Sequence, residues 1–462
     1  TKQTGGFHHI HERYDNINQP LGNTFEWIFD FDDPIPAATK FTKWLSSGDG
    51  IYHICGKLGS GKSTFMKMIC NYERTRTELE KWARSKGDRT LIMANYFFYA
   101  VGSDSRQKSL SGLLRTLIHH ILVKRPVLAK DLFPLQWARA LLEPEIQSIY
   151  DIQDEDINNA YKFLASQGDR SSLGHYCFRF FIDGLDEFWV TRSADRRDLV
   201  DYLLDLTNSL PETFKLCVSS REENPFMDMF LESNRLYLHE LTKSDMKAYA
   251  KERLQSTGTL QERHELISAI TNKAEGIFLW VALVVEEIRI RSDEGARFSR
   301  LLQLIESLPP DLDQLFLRTL DNINIKDRVL FSYIVLMLRG LGTLPQEASN
   351  CLWLDIDDVY FLDDYQDDQH FAKSSQSICW GSRTAHERLT LAKRRLRGIC
   401  KGLIVAINNE RGHSNRLNYT HLSVRDFLEQ DDWRQTINGT RISSTWFLSI
   451  SFIVLTRFRG CL

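Results

Sequence analysis

The feature that most constrains this chain is a short glycine-rich loop between an apolar run and a predicted helix. The apolar residues 51–55 predict a buried strand, and residues 64–73 predict the helix after the loop. Between them the pattern G-x-x-x-x-G-K-S runs from Gly56 to Ser63. A strand, this loop and a helix form the phosphate-binding P-loop, and a glycine-rich turn without a ligand is the alternative. The complete spacing favours the P-loop.

The residues of this loop have the chemistry that a nucleotide requires. Glycines let successive backbone N–H groups turn toward phosphate oxygens, and the positive end of the helix dipole points to the same place. Lys62 can reach the β- and γ-phosphates, and the Ser63 hydroxyl can bind Mg²⁺. We therefore predict ATP or ADP with Mg²⁺ as cofactors. The predicted nucleotide-binding residues are Gly56, Lys57, Leu58, Gly59, Ser60, Gly61, Lys62, Ser63 and Thr64.

A second informative stretch is an apolar run that ends in closely spaced carboxylates. Residues 177–182 predict a buried strand, and Asp183, Asp186 and Glu187 follow in the order D-G-L-D-E. In P-loop proteins a carboxylate at the end of such a strand supports Mg²⁺ beside the P-loop hydroxyl, which assigns Asp183 to the metal together with Ser63. A neighbouring carboxylate can position or deprotonate water, so Asp186 or Glu187 could have that catalytic role. An exposed acidic turn is the alternative.

A third apolar run indicates where the γ-phosphate could be sensed. Residues 214–221 predict a strand that ends in Ser-Ser-Arg. The end of a strand in a parallel sheet lies on the ligand side, where Arg221 could sense or stabilise the γ-phosphate. A surface arginine is the alternative reading. Strands and helices alternate from about residue 51 to 238, which indicates a doubly wound α/β domain.

The remainder of the chain is predicted to be mostly helical. Residues 389–400 predict a basic helix, and residues 403–408 and 416–421 predict two short strands, which together suggest a winged-helix domain. The predicted fold is therefore an α/β P-loop NTPase with a doubly wound parallel sheet, followed by a helical and a winged-helix domain. The predicted divisions are a flanking segment at 1–30, the nucleotide-binding domain at 31–238, a small helical domain at 239–307, a winged-helix domain at 308–432 and the truncated start of a C-terminal helical region at 433–462.

Composition excludes several other classes of protein. The net charge of −3 argues against a large nucleic-acid interface. The eight cysteines include no C-x-x-C pair, which argues against zinc and a disulfide framework. The membrane-like run at 446–455 falls far short of the ~20 residues of a spanning helix. With no signal peptide visible, we expect a cytoplasmic protein.

Together these motifs resemble the NACHT branch of the STAND signalling NTPases, specifically the NOD-like receptors of filamentous fungi. The resemblance runs from about Arg13 to the end of the chain. Its markers are the P-loop, the D-G-L-D-E element and residues 24–27, 95–99, 107–115, 219–221, 276–280 and 419–428.

The resemblance implies a nucleotide-controlled signalling switch. In that family ADP is buried among the three domains and holds the protein closed. Exchange for ATP, prompted by a ligand on a C-terminal repeat region, opens the protein and drives ring-like homo-oligomers that bring effector domains together. In fungi the output is often cell death after self or non-self recognition, as in heterokaryon incompatibility. By position, His421 resembles the winged-helix histidine that contacts the β-phosphate of ADP; an ordinary core or surface histidine is the alternative.

The chain departs from the family pattern in two respects. Animal and plant relatives have Gly-x-Pro where residues 276–278 are Gly-Ile-Phe, so the adenine contact of that proline has no counterpart here. No repeat with a period of 20–50 residues is detectable, and no effector domain precedes Arg13. These departures suggest a receptor core that lacks its sensor and effector, or a truncated gene product.

Two other classes of function remain open. A turnover ATPase or a small-molecule kinase would share the P-loop, but no motif for an acceptor site is present. An ATP-regulated DNA-binding protein would need a basic recognition helix, for which residues 389–397 are the only candidate. We expect a switch with slow ATP hydrolysis, whose partners are the nucleotide, further copies of the chain and an effector of unknown type.

Overall fold

The computed structural model describes residues 12–17, 19–30, 32, 35–100, 105–142, 152–166, 175–190, 195–342, 354–360, 385–408 and 415–430. The chain forms two compact units, Thr1–Glu306 and Ser307–Leu462. None of the helices in these ranges is long and apolar enough to cross a membrane.

The centre of the first unit is a five-stranded sheet with the strand order β2-β3-β4-β1-β5. Every neighbouring pair in it is parallel. The strands are β1 (Gly50–Cys55), β2 (Thr90–Phe97), β3 (Tyr176–Asp183), β4 (Phe214–Ser220) and β5 (Arg235–Tyr237). Nearly every residue of β1, β3 and β4 is buried, as expected for parallel strands that are covered on both faces.

Helices cover both faces of this sheet. Side chains alternate between the faces of a strand, so Leu216 and Val218 of β4 join one apolar cluster while Cys217 joins the other. The helices up to β5 are α1 (Glu12–Asn16), α2 (Pro36–Ser47), α3 (Lys62–Asn71), α4 (Glu73–Ser85), α5 (Leu110–Lys124), α6 (Ala129–Leu132), α7 (Pro134–Leu142), α8 (Asp154–Ser166), α9 (Arg196–Ser209) and α10 (Asn224–Met229). Helices α2 and α3 contribute to one cluster and α5, α8 and α9 to the other. The predicted doubly wound α/β fold is confirmed.

A group of helices follows β5 and completes the first unit. They are α11 (Leu238–Leu241), α12 (Lys243–Arg253), α13 (Leu260–Lys273), α14 (Phe278–Asp293) and α15 (Phe298–Ser307). Helix α13 begins at a capping box, in which the Thr259 hydroxyl accepts from the Glu262 N–H and the Glu262 carboxylate accepts from the Thr259 N–H. Between α13 and α14, Gly276 has a φ of +84°, and a Cβ there would lie 2.2 Å from the carbonyl oxygen of His239. The glycine therefore permits the close approach of this turn to α11.

The second unit contains five helices and a two-stranded antiparallel sheet in its described residues. They are α16 (Leu312–Asp321), α17 (Ile325–Gly342), α18 (Ile356–Tyr360), α19 (Ala385–Cys400), β6 (Ile404–Asn408), β7 (Asn415–Tyr419) and α20 (Leu422–Glu429). Arg395 of α19 forms an ion pair of 2.8 Å with Asp327 of α17, and the rings of Phe316 and Phe427 lie 5.3 Å apart. The basic helix and the two strands are present as predicted. The winged-helix assignment stays a prediction, and the region 433–462 lies outside the described residues.

Candidate nucleotide-binding site

The P-loop connects β1 to α3 in a conformation that requires glycine. Gly59 and Gly61 have φ values of +73° and +93°, in the left-handed region that side chains disfavour. A Cβ at Gly61 would lie 3.4 Å from the ring of Phe25, and a Cβ at Gly56 would lie 3.0 Å from the Ser60 hydroxyl. Helix α3 begins directly after Gly61, so its first N–H groups face the loop, as an anion site at a helix start requires.

The side chain of Lys62, which is predicted to bind phosphate, lies over the P-loop. Its Nζ donates to the carbonyl oxygens of Gly56, at 2.8 Å, and of Lys57, at 3.0 Å. Loss of solvent lowers the pKa of Lys62, while the nearby carboxylates of Asp186 and Asp183 act in the opposite direction. The ammonium group is therefore held at the loop and faces the acidic side of the site, where it could bind phosphate oxygens.

Ser63, at the start of α3, and Asp183, at the end of β3, each present side-chain oxygen atoms that could bind a metal ion. Asp183 is 1% exposed, and its Oδ1 accepts from the Ser219 hydroxyl at 2.5 Å. Its Oδ2 is buried and has no hydrogen-bond partner. Burial raises the pKa of Asp183, and hydrogen bonds from Ser219 and Ser63 partly oppose this rise. The Ser63 hydroxyl and the unpartnered Oδ2 of Asp183 are oxygen ligands of the kind that Mg²⁺ prefers, so the two residues fit a Mg²⁺ ion.

Asp186 and Arg221 are brought together by the packing of β3 beside β4. The Asp186 Oδ2 lies 2.9 Å from the Arg221 Nε, and its Oδ1 accepts from the Arg221 backbone N–H at 3.1 Å. The Asp186 carbonyl oxygen also accepts from Arg196 at 2.8 Å. This carboxylate therefore holds Arg221 at the end of β4, a role that the sequence analysis did not foresee.

Glu187 occupies a different environment. Its Oε2 accepts from the Ala100 N–H at 3.0 Å, and its Oε1 lies 3.6 Å from Nη2 of Arg13. Burial raises the pKa of Glu187 to about 7, against the attraction of Arg13 and the hydrogen bond from Ala100. A carboxyl group with a pKa near neutrality can accept a proton from water at the pH of a cell.

The sequence analysis missed several residues at the site because they are remote in the chain. Nη2 of Arg13 lies 3.4 Å from the Ser63 hydroxyl oxygen. The Leu279 N–H donates to the Gly59 carbonyl at 2.9 Å, and Lys57 Nζ donates to the Glu275 carbonyl at 3.2 Å. No chemical motif marks Arg13, Glu275 or Leu279 in advance, and only Leu279 lies within the stretch 276–280 that the resemblance marks.

His421 lies in the second unit, where it caps a helix. Its Nδ1 accepts from the Ser423 N–H at 3.1 Å at the start of α20 and lies 2.8 Å from the Ser423 hydroxyl. One ring nitrogen thus has a structural role within its own unit. The predicted contact of His421 with the β-phosphate of ADP stays a prediction.

Two family models match parts of the chain. Residues 23–221 match the family described as Nephrocystin 3, N-terminal, a range that contains the P-loop, the D-G-L-D-E element and Arg221. Residues 339–447 match a Domain of unknown function (DUF7791). The chain is a P-loop nucleotide-binding protein. No curated protein matches it.

Several solved structures are similar over most of the chain. The ORC2 protein of Aeropyrum pernix in its ADP form is 12% identical, with a TM-score of 0.35, and the match covers 89% of this chain and 98% of that one. The Walker-type ATPase PABY2304 of Pyrococcus abyssi is 15% identical, with a TM-score of 0.32 and coverages of 89% and 99%. Cdc6p from Pyrobaculum aerophilum is 10% identical, with a TM-score of 0.30 and coverages of 90% and 98%.

Proposed function

We propose that this protein is a nucleotide-controlled signalling switch that binds ADP or ATP with Mg²⁺ and hydrolyses ATP slowly. The observation that carries the proposal is a direct hydrogen bond between the P-loop and the helices after β5. The Leu279 N–H at the start of α14 donates to the carbonyl of Gly59, at 2.9 Å. A change in the loop's phosphate contacts would alter this bond, so the nucleotide could bias the position of α14.

A second connection ties the segment before the P-loop to the same helices. The Asp245 carboxylate of α12 accepts from the Phe25 N–H at 3.0 Å and from the Trp27 indole N–H at 2.8 Å. Phe25 has a φ of 69°, unusual for a residue with a side chain, and its ring packs 5.3 Å from that of Phe65 in α3. The helices that follow the nucleotide-binding fold are thus joined to it both at the P-loop and at the segment before the P-loop, which a turnover catalyst does not require.

Different residues of the site would have different roles in ATP hydrolysis. Lys62 would bind phosphate oxygens, while Ser63 and Asp183 would hold the metal. The bound Mg²⁺ would supply charge neutralisation of the phosphates. We assign the positioning or deprotonation of water to Glu187, because its pKa is suited to the task and Asp186 is occupied with Arg221. Arg221, held by Asp186, would sense the γ-phosphate.

The finer parts of the proposal rest on the resemblance of the motifs to fungal NACHT receptors. They are assembly into a homo-oligomer on activation, coupling to an effector, a role in self or non-self recognition, innate immunity or programmed cell death, and a cytoplasmic location. The division into domains at 31–238, 239–307 and 308–432 and the contact of His421 with ADP are proposed on the same grounds. The family described as Nephrocystin 3, N-terminal, supports the first of these domains.

The identity of the nucleotide that copurifies with the protein tests the proposal. We expect stoichiometric ADP in the wild type, released by denaturation and identified by ion-exchange chromatography, and none in Lys62→Ala. His421→Ala should contain more ATP and form larger particles. A nucleotide-free monomer that turns over ATP rapidly would refute the switch and favour a turnover ATPase or kinase.

A further inference from the structure

The N-terminal helix α1 is docked on the P-loop helix α3 by a buried lysine. Lys67 is 5% exposed, and its Nζ donates to the carbonyl oxygens of Tyr14, at 2.7 Å, and Ile17, at 2.8 Å. These carbonyls lie at the end of α1, where oxygen atoms have no partner within the helix. The Tyr14 ring packs edge-on against Phe97 of β2, 5.1 Å between ring centres. The position of α1 is therefore fixed by both a polar and an aromatic contact.

This docking inserts Arg13 into the acidic side of the nucleotide site. Its Nη2 lies 3.4 Å from the Ser63 hydroxyl oxygen and 3.6 Å from Glu187 Oε1. Only 14% of its side chain is exposed, and its guanidinium lies over the Tyr99 ring, 5.4 Å from the centre. Its Nε is buried without a hydrogen-bond partner. Arg13 thus reaches the hydroxyl assigned to the metal and the carboxylate assigned to water.

We propose that Arg13 is a built-in occupant of the cation position, so that docked α1 and Mg²⁺-nucleotide exclude each other. The inference rests on the proposed function and names the regulation of that same site. When α1 is docked, the protein is in a resting state in which ATP hydrolysis is blocked. Binding of a magnesium-bound nucleotide then releases α1. The N-terminal segment becomes a moving part of the switch.

The charge balance of the site is the physical reason. The carboxyl groups of Asp183, Asp186 and Glu187 are largely buried, and burial of such groups is costly unless a cation accompanies them. Arg221 pairs with Asp186 and Lys62 faces Asp183 and Asp186, whereas the guanidinium of Arg13 supplies the positive charge beside Glu187 and donates to the Ser63 hydroxyl. A divalent cation on Ser63 would make Arg13 a close like charge at low dielectric, where repulsion is strong. Removal of Arg13 is therefore expected to favour the metal.

The opposite role, a contact of Arg13 with the γ-phosphate, predicts the opposite result. An arginine that bound phosphate would raise the affinity for ATP, and its loss would weaken binding. An arginine that competes with the metal would raise the Mg²⁺ requirement, and its loss would lower that requirement. A binding titration separates the two.

The experiment measures the binding of a fluorescent ATP analogue to the full chain as Mg²⁺ is raised from zero in EDTA buffer. In Arg13→Gln we expect the half-saturating Mg²⁺ concentration to fall by about tenfold, within the usual range of coupling between two sites. Lys67→Met should lower it in the same direction by loosening α1, without altering a side chain that faces the cation. Arg76→Gln, which removes the same charge from an exposed position on α4, is the matched control and should leave it unchanged.

Hydrogen exchange supplies a readout that does not depend on catalysis. In the wild type, amides of residues 12–17 should exchange faster with ATP and Mg²⁺ than with ATP and EDTA. An unchanged or higher Mg²⁺ requirement in Arg13→Gln and Lys67→Met, or weaker ATP binding in EDTA after loss of Arg13, would overturn the inference. If the wild type binds no more analogue than Lys62→Ala, the proposed function fails as well; if only the Arg13 comparison fails, the nucleotide switch stands without this device.

Discussion

Lys215 offers a quantitative test of the core beneath the nucleotide site. It lies in β4 with 0% of its surface exposed, and its Nζ donates to the carbonyl oxygens of Trp44, at 2.7 Å, and Leu45, at 3.2 Å. Its Nζ is 4.3 Å from the centre of the Trp82 ring, and its paired neighbour on β3 is the buried Arg179. Burial, aided by the charge of Arg179, lowers the pKa of Lys215 from 10.5 to about 6.

The sign of the pH dependence follows from proton binding in the two states. Between about pH 6 and 10.5 the unfolded chain holds a proton on Lys215 that the folded protein lacks. The free energy of unfolding therefore rises with pH in this window, by up to ~1.4 kcal/mol per pH unit from this residue. At pH 7 the missing proton costs about 5 kcal/mol of stability relative to an unperturbed lysine.

Lys215→Met removes this cost and loses two hydrogen bonds worth roughly 1 kcal/mol each. We expect the variant to be more stable than the wild type by about 3 kcal/mol at pH 7 and equal to it near pH 9, since the cost shrinks with rising pH. Urea unfolding followed by tryptophan fluorescence at several pH values measures the difference. Lys43→Met, the same substitution at an exposed position of α2, is the control. Equal pH slopes in Lys215→Met and the wild type would refute the reasoning.

Two further predictions concern the site and its connections. Because burial raises the pKa of Glu187 to about 7, kcat/KM for ATP should rise through neutral pH as this carboxyl group loses its proton. The variant Glu187→Gln should bind nucleotide but hydrolyse it roughly 10²–10⁴-fold more slowly. A flat pH profile, or full activity of Glu187→Gln, would exclude Glu187 as the base. Asp245→Asn weakens the acceptor for the Phe25 and Trp27 N–H groups, so the free energy of unfolding should fall by about 1–3 kcal/mol in a thermal melting assay. Asp228→Asn, at an exposed position, is the control and should leave it unchanged. Equal melting of these two variants would show that the Asp245 connection contributes nothing.

Much of the nucleotide-binding fold could be predicted from local patterns. The apolar runs at 51–55, 177–182 and 214–220 correspond to β1, β3 and β4, because strands buried on both faces need a largely apolar sequence. The strand order β2-β3-β4-β1-β5 and the short strand β5 were not predicted. Pairing between strands is decided by long-range packing, which no window of sequence contains.

The choice between Asp186 and Glu187 also required the structure. Their sequence positions are adjacent and chemically equivalent, so the spacing D-G-L-D-E could not separate them. The 3₁₀ turn at Leu185–Glu187 directs the Asp186 carboxylate to Arg221, after β4, and the Glu187 carboxylate to Ala100, after β2. Environment then sets their chemistry, since the pKa of a carboxyl group follows its burial and its partners.

The sequence by itself determined that this chain binds nucleotide, because a P-loop is contiguous: its glycines, lysine and serine act through backbone geometry fixed within eight residues of chain. Only the tertiary structure decided what surrounds the phosphates. Arg13 reaches Ser63 across 50 positions of sequence and Phe25 reaches Asp245 across 220, and each contact exists because helices α1 and α12 pack on the P-loop domain. Such contacts depend on the packing of whole elements, for which a single sequence carries no local signal.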